Sequence, residues 1–413
     1  MKIAVIGSGI SGLSAAFYLS KKFKVDLFEQ EDYFGGHSYT YDIKVGNKII
    51  PVDLGFIVFN ELTYPNLLNF FEELKVPFEK SDMSFSVSVK NSHFEYGGRG
   101  FNALFANRLN IFNFNFLKMI KEILLFYRTA PSLLKNNLHG ETLGSYLGKS
   151  NFSKYFIDYH IIPMVAAIWS MPFAKAKDMP LILFLKFFIN HGLFKIKNRP
   201  QWYTVAKRSK NYVDKVINQI SGEYYKNYPI NKIKRNTQGI KIFYGEENEF
   251  FNYDKVVIAT HADEALKLIH DPTEEESKIL KNFNYRDNIA YLHSDETVMP
   301  KNKNAWCSWN ASMQGNNIEK TSVTYWLNNL QNLKINKNIF LTINPFMEIP
   351  KSKIFKKVKF THPYYNKNTL SFQNQLNSIQ NKENILFCGS YFGYGFHEDG
   401  IKSSIDMLKS VND

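Results

Sequence analysis

Near the start of the chain an apolar run, Ile3-Ala4-Val5-Ile6, leads into Gly7-x-Gly9-x-x-Gly12, and an apolar helical pattern through Leu13, Ala16, Phe17 and Leu19 follows. A second β-rich run, Val25 to Phe28, completes one βαβ unit. Strand, glycine turn and helix in this order aim the free N–H groups of a helix N-terminus at a pyrophosphate, where any side chain would block its approach. Gly7, Gly9, Ile10, Ser11 and Gly12 are therefore the expected phosphate cradle. Glu29 ends the second strand about twenty positions past Gly9, where a carboxylate accepts hydrogen bonds from ribose hydroxyls, and Gln30 follows it. A 2′-phosphate would be repelled there.

The same fingerprint serves NAD and FAD, so the residues beyond it must discriminate. Gly35-Gly36-His37-Ser38 comes just past the second strand, and Val52-Asp53-Leu54-Gly55 comes later; paired glycines in that place suit a flavin dinucleotide. No second fingerprint follows a strand, because Gly97-Gly98-Arg99-Gly100 lacks the flanking patterns, so a separate NAD(P)H domain is not expected. Toward the C-terminus an apolar strand over 384–390 enters a loop with Gly389, Gly393, Gly395 and Gly400, which lets backbone approach a planar ligand. A helix N-terminus aimed at the ring from this loop would favour the anionic reduced flavin. FAD is the expected cofactor, with Gly389, His397, Glu398, Asp399 and Gly400 at its other end.

A chain of 413 residues with 44% apolar content can bury a large core shared by two or three lobes. Its two cysteines, Cys307 and Cys388, cannot build a disulfide framework or a cysteine metal site, and Cys388 reads as a small buried residue of its strand. No metal is expected: there is no His-Glu-x-x-His, and His293-Ser294-Asp295 has the wrong spacing for a helical metal pair. The net charge of +13 points to an anionic partner. Without zinc-finger spacing, an RNP-like motif or a dense arginine cluster, nucleic acid is not expected; a membrane surface or fatty-acyl anion is. No leader pattern precedes the first strand, and Lys186 and Pro163 interrupt the longest apolar runs, so neither secretion nor a membrane span is expected. The expected location is the cytoplasm, with peripheral contact at the inner face of the membrane.

Further along, the spacing predicts a helix over 61–75 with Thr63 as N-cap and Pro65 in its first turn. A cationic amphipathic helix is expected around 116–128, with Phe116, Leu117, Met119, Ile120, Ile123, Leu124 and Tyr127 on one face, opposed by Lys118, Lys121 and Glu122. An apolar region spans 155–194, a polar, turn-like stretch 223–254, and a strand 255–260 that re-enters the first domain and brings Ala259 to the site. His160, His191, Trp169, Trp202, Trp306 and Trp309 are candidate channel walls, or ordinary core residues.

These stretches, with Ala167-Ile168-Trp169-Ser170, Asn190-His191-Gly192-Leu193, Arg199-Pro200-Gln201-Trp202, Trp306-Cys307-Ser308-Trp309-Asn310 and Gly395-Phe396-His397-Glu398-Asp399-Gly400, give the chain its likeness to known sequences. It resembles the flavin-containing amine oxidase superfamily, and within it a bacterial branch of NAD/FAD-binding proteins encoded beside cyclopropane fatty acid synthases. The resemblance implies an α/β architecture. Residues 1–78, 200–268 and 383–413 would form a Rossmann-like FAD-binding domain of the glutathione-reductase-like, amine oxidase type, and 79–199 and 269–382 an interleaved α+β substrate domain. It further implies an FAD-dependent oxidoreductase that desaturates, saturates or isomerises unsaturated, methylated or cyclopropanated acyl chains of membrane lipids. The alternatives are a soluble flavin amine oxidase and a non-catalytic flavoprotein partner of a lipid methyltransferase. His397 and Glu398 would either transfer protons as an acid/base pair or only hold the loop and flavin. One departure stands out: where such proteins carry a glycine-rich turn, this chain has Ala206-Lys207-Arg208-Ser209, whose cations belong either near the diphosphate or in solvent.

Overall fold

The computed structural model describes residues 1–245, 249–315 and 317–411. Strand β1 (Lys2–Ile6) is apolar without alternation because both of its faces are covered: Ile3 and Val5 join one hydrophobic core, and Ala4 and Ile6 another. It is central in a parallel five-stranded sheet, ordered Tyr224–Tyr225, β2 (Lys24–Phe28), β1, Lys255–Ile258 and Ile385–Phe387. Helix α1 (Ile10–Ser20) crosses between β1 and β2, and Ser14 hydrogen-bonds Ser404 at 2.7 Å on the closing helix His397–Leu408. The expected α/β class is the one observed.

A second, seven-stranded sheet is built from distant stretches. Asn284–His293 pairs antiparallel with Ile354–Tyr364 and with Phe340–Ile343; Asn317–Trp326 and Trp309–Gln314 continue the sheet. Phe85–Lys90 joins parallel to Trp309–Gln314 and carries Glu95–Gly97 at the edge. Helices from Phe101 to Asn190 pack their own aromatic core against this sheet through Val87, Ala311 and Met313. Among the described residues no helix is long and apolar enough to cross a membrane.

Four local expectations are corrected by tertiary contacts. The helix expected over 61–75 is α2 (Pro65–Glu73), and Thr63 does not cap it. Its first N–H groups, on Asn66 and Leu67, donate to the carboxylate of Glu398 at 3.1 Å each, so the cap comes from the other end of the chain. The polar stretch 223–254 holds the edge strand Tyr224–Tyr225 and an antiparallel meander, Ile230–Asn236, Gly239–Tyr244 and Glu249–Tyr253, whose Ile233, Ile240 and Ile242 are buried.

The amphipathic helix runs Phe114–Thr129, but its faces are redistributed. Phe116, Met119, Phe126 and Tyr127 are buried, whereas Leu117, Leu124 and Leu125 are exposed. Glu122, expected in solvent, is buried, where it accepts hydrogen bonds from the Ser153 backbone (3.0 Å) and hydroxyl.

Finally, Arg208 is neither at the phosphate site nor in solvent. It is buried with φ +67°, the left-handed conformation a glycine would adopt freely, and its guanidinium donates to the carbonyls of Pro51 (3.1 Å) and Gln331 (2.7 Å) beside Asp53. Those charge-assisted bonds offset a backbone cost of about 1–3 kcal/mol. Lys207 is exposed.

Candidate active site

The turn after β1 ends in an uncapped helix. Gly9 is the N-cap of α1, no side chain caps its first-turn N–H groups, and no acidic residue occupies that turn, so the N–H groups there remain available to an anion. The glycines serve separate ends. Gly7 has φ +96°, and a Cβ on Gly12 would stand 1.8 Å from the Gly7 carbonyl oxygen. A Cβ on Gly9 would meet nothing within 4 Å, because Gly9 faces an open cavity.

That cavity has a volume of about 610 Å³, within the range of small-molecule sites. Of the residues expected at the cofactor, Gly7, Gly9, Ile10, Ser11, Glu29, Gln30, Gly36, His37, Gly55, Ala259, Gly389 and His397 line it. The others lie behind it. Gly12 and Gly400 are contact points between backbones; a Cβ on Gly400 would stand 2.7 Å from Ser11 Oγ. Gly35 donates its N–H to Ser8 Oγ at 3.0 Å, and Ser38 hydrogen-bonds His397 Nε2 at 2.9 Å. Asp399 accepts from the Phe396 N–H at 2.9 Å and so closes the glycine loop on itself.

The pairing of His397 with Glu398 is not what the structure builds. Consecutive residues at a helix start point in different directions: Glu398 turns to the N-terminus of α2, while His397 stacks on Phe56 with ring centroids 3.7 Å apart and meets Tyr212 OH at 3.2 Å. Burial pushes His397 down to about 3, so it is a neutral hydrogen-bonding ring at neutral pH.

Two features show that the cradle fits a dinucleotide. Glu29 holds the Ser8 N–H on one oxygen and the Glu31 N–H on the other, both at 3.0 Å, and a carboxylate has further acceptor sites for ribose hydroxyls. His37, on the cavity wall, has its Nε2 buried with no hydrogen-bond partner, an atom that a ligand would satisfy. Burial holds His37 well below the usual imidazole range, and His362, His261 and His397 nearby act in the same direction. His362 is likewise pushed down to about 4. Sequence reading missed His261 and His362; His362 reaches the site only through the pairing of Arg286 with His362 in the second sheet, which leaves no local signal.

The far end of the cavity is apolar. The helical lobe supplies Ile168, Trp169, Phe187 and Leu193, and the second sheet supplies Trp309 and Tyr325. Of the expected channel walls, Trp169, Trp202 and Trp309 are here, while Trp306 is buried elsewhere, with its Nε1 donating to the Pro300 carbonyl. His160 is enclosed by Tyr96 and Tyr127, and Cys388 is buried behind the wall. A second cavity of about 420 Å³ shares Met83, Leu193 and Trp202 with the first, and its wall carries Asp82, Arg99, His191 and Arg199.

Across nearly its whole length, this arrangement matches solved structures. Cyclohexylamine oxidase from Brevibacterium oxydans IH-35A superposes with a TM-score of 0.71 at 13% identity, covering 100% of this chain and 99% of that one. Putrescine oxidase bound to putrescine gives 0.69 at 11%, covering 100% of both chains. The chain has the fold of the flavin amine oxidases. A CLA-producing fatty acid isomerase from P. acnes shares this amine oxidase fold, with a TM-score of 0.67 at 12% identity over 98% of this chain and 97% of the other. The family described as an NAD(P)-binding Rossmann-like domain matches residues 5–74. Prenylcysteine oxidase 1 of Rattus norvegicus is 43% identical over 63 residues, which cover 13% of this chain and 12% of the rat protein's length.

Two outcomes are expected. Gly9→Val, at a position with φ −62° and open space, fills the cradle without straining the backbone; the purified variant should lose bound dinucleotide while its melting temperature, with ligand removed from both proteins, stays within a degree or so of wild type. Asp399 is buried and pushed up to about 7, so the folded state favours its neutral form. Its contribution is complete below the unfolded value near 4 and is lost as pH rises through 7. Denaturant titrations should therefore show the stability difference between wild type and Asp399→Asn falling by up to about 1.4 kcal/mol per pH unit over that window and levelling off above it.

Proposed function

We propose that this chain is an FAD-dependent oxidoreductase acting on the acyl chains of lipids. The observation that carries the substrate class is the division of polarity along the cavity. Its carboxylates belong to the Rossmann end, Glu29 and Glu31 just after β2 and Glu264 in the first turn of the helix Ala262–Leu268, and the walls supplied by the helical lobe and second sheet include no acidic residue among the described residues. A protonated amine finds no counter-charge there, whereas an alkyl chain gains about 0.8 kcal/mol for each methylene it buries.

The α1 N-terminus would hold the pyrophosphate and Glu29 the adenosine ribose, with His37 Nε2 offering one further hydrogen bond. FAD bound there supplies a ring that accepts or returns a hydride. Trp169, Trp202 and Trp309 exclude water and orient the chain, and His397, neutral and fixed by Ser38 and Phe56, presents a hydrogen-bonding ring without a charge. Arg199 and Arg99 in the adjoining cavity suit a carboxylate or phosphate head. Arg99 is partly neutralised by Asp82 at 3.8 Å, and Arg199 Nε donates to the Lys195 carbonyl at 2.5 Å. Two similar proteins carry names in the same chemical direction, a fatty acid isomerase and a prenylcysteine oxidase.

An amine oxidase reading draws on the aromatic walls and on the cyclohexylamine and putrescine oxidases. It demands an uncharged amine passing two arginines. Anaerobic incubation separates the readings: unsaturated fatty acids should bleach the oxidised flavin or return with a shifted double bond, or, once the flavin has been reduced with dithionite, reoxidise it and return saturated, and a panel of alkyl, aryl and polyamines should leave the oxidised flavin unbleached. Bleaching by amines alone would overturn the acyl reading. Arg199→Ser should raise KM for a free fatty acid about tenfold and leave that of its methyl ester unchanged.

A further inference from the structure

The surface formed by residues 101–128 has no partner within the fold, and its chemistry is that of a membrane-facing helix. Phe112 and Phe114 are 85% and 77% exposed, beside the exposed Phe101 and Leu109. On the helix Phe114–Thr129 the outward residues recur at helical spacing: Phe114, Leu117, Lys118, Lys121, Leu124, Leu125 and Arg128 form one stripe that mixes apolar and cationic side chains. The exposed cations Arg108, Lys118, Lys121, Arg128 and Lys135 make no ion pair among the described residues, and the acid of this segment, Glu122, is buried and held by Ser153. A protein partner would have to cover the bare aromatics and also bring acids to these unpaired cations. At a bilayer interface the rings enter the acyl boundary while the lysine and arginine stems reach up to anionic headgroups.

We infer that this face docks on an anionic lipid bilayer through Phe112, Phe114 and the cationic stripe. Its position gives the docking a use. Phe101 is two residues beyond Arg99, on the wall of the second cavity, and Ile196, 61% exposed, is three residues before Arg199 on the same wall. The Arg199 charge is also felt by Tyr127 and His160, beside the last turns of the stripe-bearing helix. Docking would bring that cavity, which shares walls with the main one, to the lipid surface; this delivery role rests on the acyl reading, whereas the docking itself does not.

The test is sedimentation of the full chain with vesicles of phosphatidylglycerol and phosphatidylcholine in equal parts, against vesicles of phosphatidylcholine alone. Binding is expected to the anionic vesicles and to weaken with salt. The double substitution Phe112→Ser/Phe114→Ser should weaken it by about tenfold or more for each ring removed. Lys118→Glu/Lys121→Glu should lose the preference for phosphatidylglycerol. All four positions are exposed, and an unchanged melting curve verifies that each variant is folded. A wild type that stays in the supernatant, phenylalanine variants that bind like wild type, or a dimer that those variants convert to monomer would each overturn the inference; the last would assign the face to a second copy. Vesicle binding without turnover of any acyl substrate would instead remove the acyl reading and leave the docking face standing.

Discussion

Several backbone segments meet at the N-terminus of α1 more closely than side chains would allow. A Cβ on Gly12 would lie 1.8 Å from the Gly7 oxygen, one on Gly55 2.1 Å from the His37 oxygen, one on Gly400 2.7 Å from Ser11 Oγ, and one on Gly36 3.1 Å from the Gly9 Cα. These approaches draw the fingerprint turn, the loop after β2, the strand end near residue 55 and the closing helix around one uncapped helix start. The parallel sheet behind them supplies the rigidity, and the second sheet and helical lobe need only wall off the space in front. A dinucleotide site follows from this convergence because polar N–H groups face a cavity that no side chain enters at Gly9.

What the primary structure made legible was local. β1, α1, β2 and the carboxylate at Glu29 were readable because each is specified within a few residues by apolar period, glycine position or strand end. What it concealed depends on contacts between distant residues. The Glu398 cap of α2 reaches back 332 positions to Asn66, the left-handed Arg208 is held by carbonyls at 51 and 331, and His362 arrives through β-register. The helix Phe114–Thr129 illustrates the same limit. Apolar residues surround it, so only packing decides that Phe126 is buried and Leu124 and Leu125 are not.

Charge is managed in the same graded way through the site. Buried histidines are held neutral, burial pushes Asp399 toward its neutral form against the backbone donors that meet it, and the carboxylate facing the cavity at Glu29 is anchored by Ser8 and Glu31. Beyond the Rossmann end, the helical-lobe wall carries no charge, and the one cation of the second-sheet wall, Lys359, is paired with Asp287 at 2.8 Å. The proposed acyl substrate, apolar along its chain and anionic at one end, fits this profile.

The central claim is that the convergence at α1 cradles FAD. It is tested most directly by purifying the full chain under native conditions, releasing its bound small molecules with acid or heat, and identifying them by chromatography and mass. The account predicts FAD at close to one equivalent per chain. Recovery of NAD(P) in place of flavin, of FMN alone, or of protein that neither carries nor takes up FAD would contradict it.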